Sequence, residues 1–201
     1  LMQELESALN SLQADAGTNA IFLMGAGHDF CAGMDLKYAL TTLQENPDAF
    51  KKDLIPMGPR FDDLVEDLDI PVIAVVQGNA VAGGFILAYF CDLIIAAEDA
   101  RFGDAHAKWG FIPGWQEPQR LARSIGIRWA RQFFLTGELV SAQEAKEIGL
   151  VWKMVPADKL DDTVVYWGAK FKKLSATSLA MMKQQLKSVN RSGWEQMLDF
   201  D

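Results

Sequence analysis

The sequence has 201 residues, of which 50% are hydrophobic and 23% are charged, and its formal net charge is −8. That length and composition fit one α/β domain with a sizeable core, and the acidic excess disfavours generic binding to nucleic-acid phosphates. No apolar run approaches the ~18 residues that cross a bilayer, no stretch has the features of a secretory signal, and two cysteines fit a reducing compartment, so we expect a cytoplasmic protein without a membrane partner.

The first third of the chain predicts two helices, one strand and a connection. Apolar residues at helical spacing predict an amphipathic helix over roughly residues 2–15. Residues 20–24 form a short apolar run that ends in a Gly-Ala-Gly turn, which is typical of a buried strand. Residues 38–60 are mixed in character and contain several prolines, so they predict a mobile connection. Apolar positions then predict a short helix over residues 61–68.

The middle of the chain predicts two buried strands around a glycine-rich turn. Residues 71–76 are apolar almost throughout, which is typical of a strand buried on both faces. Residues 78–84 are rich in glycine and lead into an apolar helix over 85–91, and residues 92–97 predict the next strand.

The last third of the chain predicts mostly helix from residue 116 onward, interrupted at glycines, with a short strand over residues 151–155. Ser141 and Glu144 have the spacing of a capping box. This alternation of strands and helices indicates an α/β domain with helices covering a sheet. Because Leu1 and Asp201 both fall in mid-pattern, we expect that both ends of a longer polypeptide are missing.

Two glycine turns are the informative motifs. Residues 30–37 are Phe-Cys-Ala-Gly-Met-Asp-Leu-Lys, and the small residues at 32 and 33 would let a ligand approach the backbone and leave the Met34 amide free to donate into a pocket. Residues 78–84 are Gly-Asn-Ala-Val-Ala-Gly-Gly, which places amides at a helix N-terminus, where the helix dipole favours an anion. Either motif alone is more often tight packing than catalysis.

At this separation, the two turns together resemble the two halves of the signature of the crotonase superfamily, the enoyl-CoA hydratase/isomerase family. The resemblance continues in collinear order over residues 91–103, 110–114, 119–121, 135–137, 141–145 and 148–151. It implies an α/β fold of the ClpP-like type, a superhelix of strand-strand-helix turns that assembles as a homotrimer or homohexamer. Against that fold, residues 1–201 form a single core domain without the first strands and the C-terminal helices.

The same resemblance implies a site for an acyl-CoA thioester, with no covalently bound cofactor and no metal. The amides of Met34 and Gly83 would form an oxyanion hole around the thioester carbonyl, and one such donor is typically worth about 3–4 kcal/mol. Backbone around residues 27–31 would line the adenine pocket. Lys37 is either a phosphate-contacting residue or a solvated lysine. The residues assigned to the CoA pocket are Gly27, His28, Phe30, Cys31, Ala32 and Lys37; His28 is expected to be exposed, with no chemistry of its own.

The sequence departs from the family's hydratases at both glutamate positions, which are Ile86 and His106 here. Water addition needs a carboxylate pair to hold the water and move its proton, so the standard two-glutamate hydratase mechanism is disfavoured. A histidine changes charge near neutral pH, so we expect His106 to be the acid/base group rather than a structural residue. Asp104, two residues away, would share a strand face with His106 and orient its ring.

Several further residues have two interpretations each. Glu117 replaces a small residue after Pro113 and is either a second acid/base group or a charged residue on the pocket rim, with the rim favoured. Asp35 and Asp92 fit capping or ion-pair positions better than chemistry. The tryptophans at 109 and 115 would either narrow the acyl pocket or pack in the core.

These features favour a lyase or isomerase of fatty acid metabolism that acts on an acyl-CoA. Reactions that need enolate stabilisation and one proton carrier fit best, namely double-bond isomerisation, decarboxylation, or C–C or thioester cleavage. An enzyme that hydrolyses β-diketones without CoA is the nearest alternative. A binding or assembly subunit that has lost catalysis is the alternative of another class. Nucleic-acid binding, which some relatives show, is opposed by the charge of −8.

Overall fold

A computed structural model describes residues 1–54, 56–113 and 117–191 of the chain. The α-helices are α1 (Met2–Gln13), α2 (Leu36–Glu45), α3 (Pro47–Ala49), α4 (Met57–Asp67), α5 (Gly83–Phe90), α6 (Glu117–Ile125), α7 (Ile127–Thr136), α8 (Ala142–Glu147), α9 (Leu160–Phe171) and α10 (Ala176–Arg191). The strands are β1 (Ile21–Met24), β2 (Val72–Val76), β3 (Asn79–Val81), β4 (Leu93–Ala97), β5 (Arg101–Gly103), β6 (Val140–Ser141) and β7 (Lys153–Val155).

The strands form two sheets, and strands of the two sheets alternate along the chain from β2 to β5. The first sheet is parallel, with strand order β1-β2-β4-β7. The second sheet has the order β3-β5-β6, in which β3 and β5 are parallel and β6 is antiparallel to β5. Because β2 is followed after two residues by β3, the chain passes directly from one sheet to the other.

The central strand β2 separates two hydrophobic clusters. Its residues alternate between the two faces of the sheet, as the pleat requires. Val72, Ala74 and Val76 belong to the larger cluster, with helices α4, α5, α6 and α7, whereas Ile73 and Val75 pack with residues of α9. All five residues are fully buried, which confirms the predicted strand with two covered faces.

The prediction of a mobile connection over residues 38–60 is wrong. The described part of this segment is helical, comprising α2, α3, a π-helical turn (Phe50–Leu54) and the start of α4. The side chain of Asn46 accepts a hydrogen bond from the amide of Ala49 (3.1 Å), and Pro47 is the first residue of α3. Proline at that position begins a helix because its missing N–H has no partner there in any case. The prolines therefore mark helix starts rather than a loop.

Other local predictions are confirmed. Helix α1, strand β1 and helix α5 form where the apolar patterns predicted them. The Ser141 side chain and the Glu144 side chain cap α8 reciprocally. Strands β3 and β5 were missed, because each has only three residues and no periodicity can be read over so short a run.

Candidate active site

The first glycine turn is joined to β3 by main-chain hydrogen bonds. The amide of Phe30 donates to the carbonyl of Gln77 (2.9 Å), and the amide of Cys31 donates to the carbonyl of Asn79 (3.1 Å). In return, the amide of Val81 donates to the carbonyl of Cys31 (3.0 Å). The segment around Cys31 therefore lies parallel to β3 as an added bridge.

Polar side chains hold the two turns together at their edge. The side-chain amide of Gln77 donates to the carbonyls of Gly25 (2.7 Å) and Gly27 (3.0 Å). The carboxylate of Asp29 accepts from both the main-chain N (2.8 Å) and the side-chain N (2.7 Å) of Asn79. These bonds, the main-chain one first, lower the pKa of Asp29. These three side chains were not predicted from the sequence, although Asp and Asn beside glycine turns are typical turn-fixing residues.

The two turns also touch through their glycines. A Cβ atom on Gly84 would overlap the carbonyl group of Cys31, so only glycine fits there. Gly33 has a φ of +95°, and a Cβ on it would lie 3.0 Å from the main-chain N of Gly83. A Cβ on Gly83 would lie 3.7 Å from the main-chain N of Met34. The amides of Met34 and Gly83 are therefore near neighbours, and within the described ranges neither one donates a hydrogen bond.

Ala82 sits at the N-cap of α5 in a strained conformation. Its φ of +50° and ψ of −123° are values that a non-glycine residue rarely adopts. Hydrogen bonds on either side hold it there, from the Ala82 amide to Gly103 (3.0 Å) and from the Ile86 amide to Ala82 (3.0 Å). Strain of this kind costs about 1–3 kcal/mol and concentrates at functional sites. Here it sets the direction of the Gly83 amide, which opens α5.

A second group of polar residues lies at the same edge of the β3–β5 pair. Val81 and Gly103 are register partners in this parallel pair, so the residues that follow each strand meet at one edge. Asp104 follows β5, and its Oδ1 contacts Nδ1 of His106. Glu117 opens α6, and one ligand-type atom from each of Asp104, His106 and Glu117 lies within 4.8 Å of the others. We call these three residues the buried cluster.

The buried cluster carries uncompensated polar atoms. Asp104 and Glu117 are both 0% exposed, and the His106 side chain is 19% exposed. Among the described residues, Oδ2 of Asp104 and both carboxyl oxygens of Glu117 have no hydrogen-bond partner. A buried unsatisfied polar atom typically costs about 1–3 kcal/mol. Burial, and secondly the charge of Asp104, raise the pKa of Glu117 well above its usual value, so both favour the neutral acid over the carboxylate.

The structure corrects two predictions about this cluster. Asp104 and His106 do not share a strand face, because β5 ends at Gly103 and His106 begins a 3₁₀ turn (His106–Trp109). The two side chains meet across a bend instead. Glu117 is not a rim residue, because its side chain is fully buried where α6 packs against the core.

The residues assigned to the CoA pocket are either exposed or half-buried. The side chain of His28 is 86% exposed, and Lys37 is exposed on α2; Gly27 and Ala32 are also exposed, whereas Phe30 and Cys31 are half-buried.

The aspartates that were expected to be structural make such contacts. Asp35 accepts from the amide of Tyr38 (3.0 Å) and caps α2, while Asp92 pairs with Lys183 (2.7 Å). Trp109 is 65% exposed, so it does not pack in the core, and residue 115 lies outside the described residues. Ile86 is 1% exposed inside α5 and contributes no polar group to the site.

Comparison with known proteins places this architecture among the crotonase-fold enzymes. The crystal structure of an enoyl-CoA hydratase from Bacillus anthracis superposes with a TM-score of 0.84 at 35% identity, over 92% of this chain and 70% of that one. An enoyl-CoA hydratase from Polaromonas sp. JS666 superposes with a TM-score of 0.90 at 27% identity, over 99% of this chain and 77% of that one. These matches confirm the predicted fold class.

The sequence comparisons agree with the structural ones. A family model described as enoyl-CoA hydratase/isomerase matches residues 1–201, and the chain belongs to that family. It is 38% identical over 185 residues to a probable mitochondrial enoyl-CoA hydratase of Dictyostelium discoideum, covering 92% of this chain and 64% of the relative. It is 38% identical over 151 residues to a probable enoyl-CoA hydratase of Bacillus subtilis (strain 168), covering 75% and 57%. The chain thus spans less than two thirds of the length of these two relatives.

In the part of the chain that the structure describes, every helix is too short or too polar to cross a membrane.

Proposed function

We propose that this chain binds an acyl-CoA thioester and stabilises the negative charge that develops on its carbonyl oxygen. The observation that carries the proposal is the pair of adjacent main-chain amides, Met34 and Gly83, neither of which donates within the described part of the chain. Two fixed donors stabilise an enolate oxygen without reorganising. The dipole of α5, which begins at Gly83, acts in the same direction.

The proton in this reaction is moved by His106. Its Nδ1 faces the carboxylate of Asp104, which orients the ring and leaves Nε2 to accept a proton. When the α C–H bond of the acyl group breaks, the proton passes to Nε2 and the electron pair moves onto the thioester oxygen between the two amides. Asp104 then stabilises the imidazolium that forms.

The CoA part of the substrate lies against the first glycine turn. Exposed backbone at Gly27 and Ala32, the half-buried Phe30 and Cys31, and the exposed His28 and Lys37 form this proposed surface. The family resemblance supports the assignment, and the exposure of these residues is compatible with it. A trimeric or hexameric assembly stays a prediction from the same resemblance.

The buried Ile86 supports reactions other than the standard two-glutamate hydration. Isomerisation, decarboxylation, and C–C or thioester cleavage need the oxyanion hole and a proton carrier, and both groups are available here. The same apolar residue also favours the second candidate, a subunit that binds acyl-CoA without turnover. A β-diketone hydrolase that needs no CoA would use the same amides.

Proton exchange on a saturated thioester tests the proposal directly. Butyryl-CoA in D₂O can form an enolate but has no double bond to react, so deuterium incorporation at its α carbon reports the enolate alone. Gly83→Pro replaces the amide N–H with a ring carbon at the first position of α5, a position where proline is tolerated in helices. We expect a fall in exchange of about 10²–10³-fold.

Gly83→Ala is the matched control because it keeps the amide, and its exchange rate should stay much closer to that of the unmodified chain. Circular dichroism would show that both variants fold. Equal exchange rates in the two variants would contradict the oxyanion hole, whereas tight CoA-thioester binding with no exchange in the unmodified chain would support the binding subunit.

A further inference from the structure

We propose that Arg120 is a positioning residue, whose ion pairs to helix α4 fix Glu117 in the buried cluster without touching the substrate. The inference rests on the proposed function, because the cluster that Glu117 completes contains the proposed proton carrier, His106. Arg120 and Glu117 are three residues apart on α6 and are 8% and 0% exposed, so both lie on the buried face of this helix. Arg120 is therefore placed to act on the site through the helix that carries it.

Glu117 has no bond of its own that holds its side chain in the cluster. Among the described residues, neither of its carboxyl oxygens has a hydrogen-bond partner. Its carboxyl group nevertheless lies within 4.8 Å of ligand-type atoms of Asp104 and His106. The position of Glu117 beside these two residues therefore depends on where α6 lies, and so on the contacts that hold this helix.

Arg120 joins α6 to α4 through two carboxylates. Its Nη1 pairs with Asp62 and its Nη2 pairs with Glu66. The two acidic residues are four positions apart on α4, about one helical turn, so one planar guanidinium spans both of them. The side chains of Arg120, Asp62 and Glu66 are 9%, 17% and 12% exposed, so solvent ions screen these pairs weakly.

The same residue also contacts the end of α5. The guanidinium of Arg120 lies 5.1 Å from the centroid of the ring of Phe90, the last residue of α5. Next to it, Oη of Tyr89 lies 2.8 Å from Oγ of Ser124, and that hydroxyl donates to the carbonyl of Arg120 (3.2 Å). Because α5 begins at Gly83, α6 is attached to the helix that presents one of the proposed oxyanion donors.

These ion pairs are better explained by position than by stability. Buried ion pairs contribute little to stability compared with apolar residues of similar volume. Burial raises the pKa of Asp62 to about 6 against the lowering effect of Arg120, so the ionised carboxylate is held at a cost. Leu121 and Ile125 already bury α6 in the core, but apolar contact is not directional. Charged hydrogen bonds are directional, so they fix the rotation of α6 and the direction of the Glu117 side chain.

Loss of this attachment would change proton transfer rather than CoA binding. If α6 rotates, Glu117 leaves the space beside Asp104, and water enters the cluster. Water bound to the Asp104 carboxylate would weaken its hold on the ring of His106, and a misplacement of about 1 Å can lower a rate about 100-fold. The proposed CoA surface lies within residues 27–37, which bond to residues 77–81, so it would stay in place.

The test measures α-proton exchange on butyryl-CoA in D₂O over a range of substrate concentrations. Arg120→Lys keeps the charge but loses the planar fork that spans both carboxylates. We expect kcat to fall about tenfold or more while KM stays within about twofold. Arg128→Ala, at an exposed residue of α7, should change neither constant. In a Glu117→Ala background, Arg120→Lys should lower kcat by less than about twofold, because no carboxyl group is left to position.

Two outcomes would overturn the inference while leaving the proposed function intact. The first is an unchanged kcat in Arg120→Lys with a loss only in urea unfolding, which would make the ion pairs purely structural. The second is an equal fall in kcat with and without Glu117, which would show that Arg120 acts by another route. If Arg120→Lys does not fold, Glu66→Gln removes one ion pair at constant shape, and an unchanged kcat there has the same meaning. Absence of exchange in the unmodified chain would instead refute the proposed function, and this inference with it.

Discussion

The two glycine turns and the buried cluster lie at the same edge of the β3–β5 pair, but they are built from different parts of the chain. The turns present main-chain amides, and their positions are fixed by hydrogen bonds between segments 25–31 and 77–82. The cluster presents side chains from the residue after β5, a 3₁₀ turn and α6, and a single hydrogen bond, between Asp104 and His106, joins its members among the described residues.

The two glycine turns form a rigid main-chain half of the site. The buried cluster forms an adjustable side-chain half. The main-chain half has no space for a side chain at Gly84 and only a strained position for one at Gly33, whereas Gly83 has room for a methyl group. The chemistry of the side-chain half depends on the individual side chains of Asp104, His106 and Glu117, so one substitution there would change it. One scaffold could therefore keep the proposed oxyanion hole while the proposed proton-transfer groups differ.

The largest effect is expected from a substitution that disrupts the contact between the two glycine turns. Gly84→Ala would push a methyl group into the Cys31 carbonyl, a clash that neither backbone can relieve. We expect a loss of about 3 kcal/mol or more of unfolding free energy, at the upper end of overpacking costs. Urea denaturation measures it.

Gly168→Ala is the matched control for that prediction. A Cβ there would make an ordinary 3.7 Å contact with the ring of Phe22 in the interior of α9. Since alanine is the better helix former, this variant should gain up to about 1 kcal/mol. Similar losses from both substitutions would contradict the account of the turns.

The next largest effect concerns the side-chain half. His106→Ala should lower α-proton exchange on butyryl-CoA by about 10²–10⁴-fold, which is the usual contribution of a general base. Added imidazole should restore part of the rate, because it replaces the missing base and cannot repair a misfolded site. Full activity without His106, or a loss that imidazole leaves unchanged, would show that the residue is not the proton carrier.

The pH dependence of the unfolding free energy tests whether Glu117 is charged in the native state. Its pKa is raised in the native state, so the native protein binds more protons than the unfolded chain above about pH 4.5. Unfolding free energy therefore falls as pH rises, by up to about 1.4 kcal/mol for each pH unit in the window between the two pKa values. Glu117→Gln lacks this loss, so its stability relative to the unmodified chain should increase from pH 5 to pH 8. A gap that is constant with pH would mean that Glu117 is ionised throughout.

The smallest effect is expected at the strained residue between the two halves. Ala82→Gly would relieve the strain of the positive φ but would give the unfolded chain more conformational entropy to lose on folding. We expect a net gain of about 1 kcal/mol in thermal or urea unfolding. Destabilisation of the same size would show that the Ala82 methyl group makes contacts that outweigh the strain.

The sequence predicted the main-chain half better than the side-chain half, for a physical reason. Gly33 and Gly84 occupy positions that only glycine can occupy, so the residue type itself reports the geometry. The buried strands β2 and β4 can be predicted equally well from the sequence, because apolar runs between turn residues have few other interpretations.

The side-chain half depends on packing that no local pattern encodes. Glu117 is buried because α6 lies against the core, and nothing in residues 113–121 distinguishes that position from a rim. The contact between Asp104 and His106 arises from a bend after β5 rather than from strand alternation. The helices over residues 38–60 were missed because their prolines were interpreted as breakers.

The bond between Asp29 and Asn79 joins residues 50 positions apart in the chain. The proposed oxyanion pocket would therefore form only after a long loop, including α2 to α4, has closed, and closing such a loop has an entropic cost. A thioester bound by the amides of Met34 and Gly83 would bridge the two ends of that loop. Binding of the thioester would then stabilise the folded state against unfolding as well as permit turnover, because a ligand that binds only the folded state raises its stability.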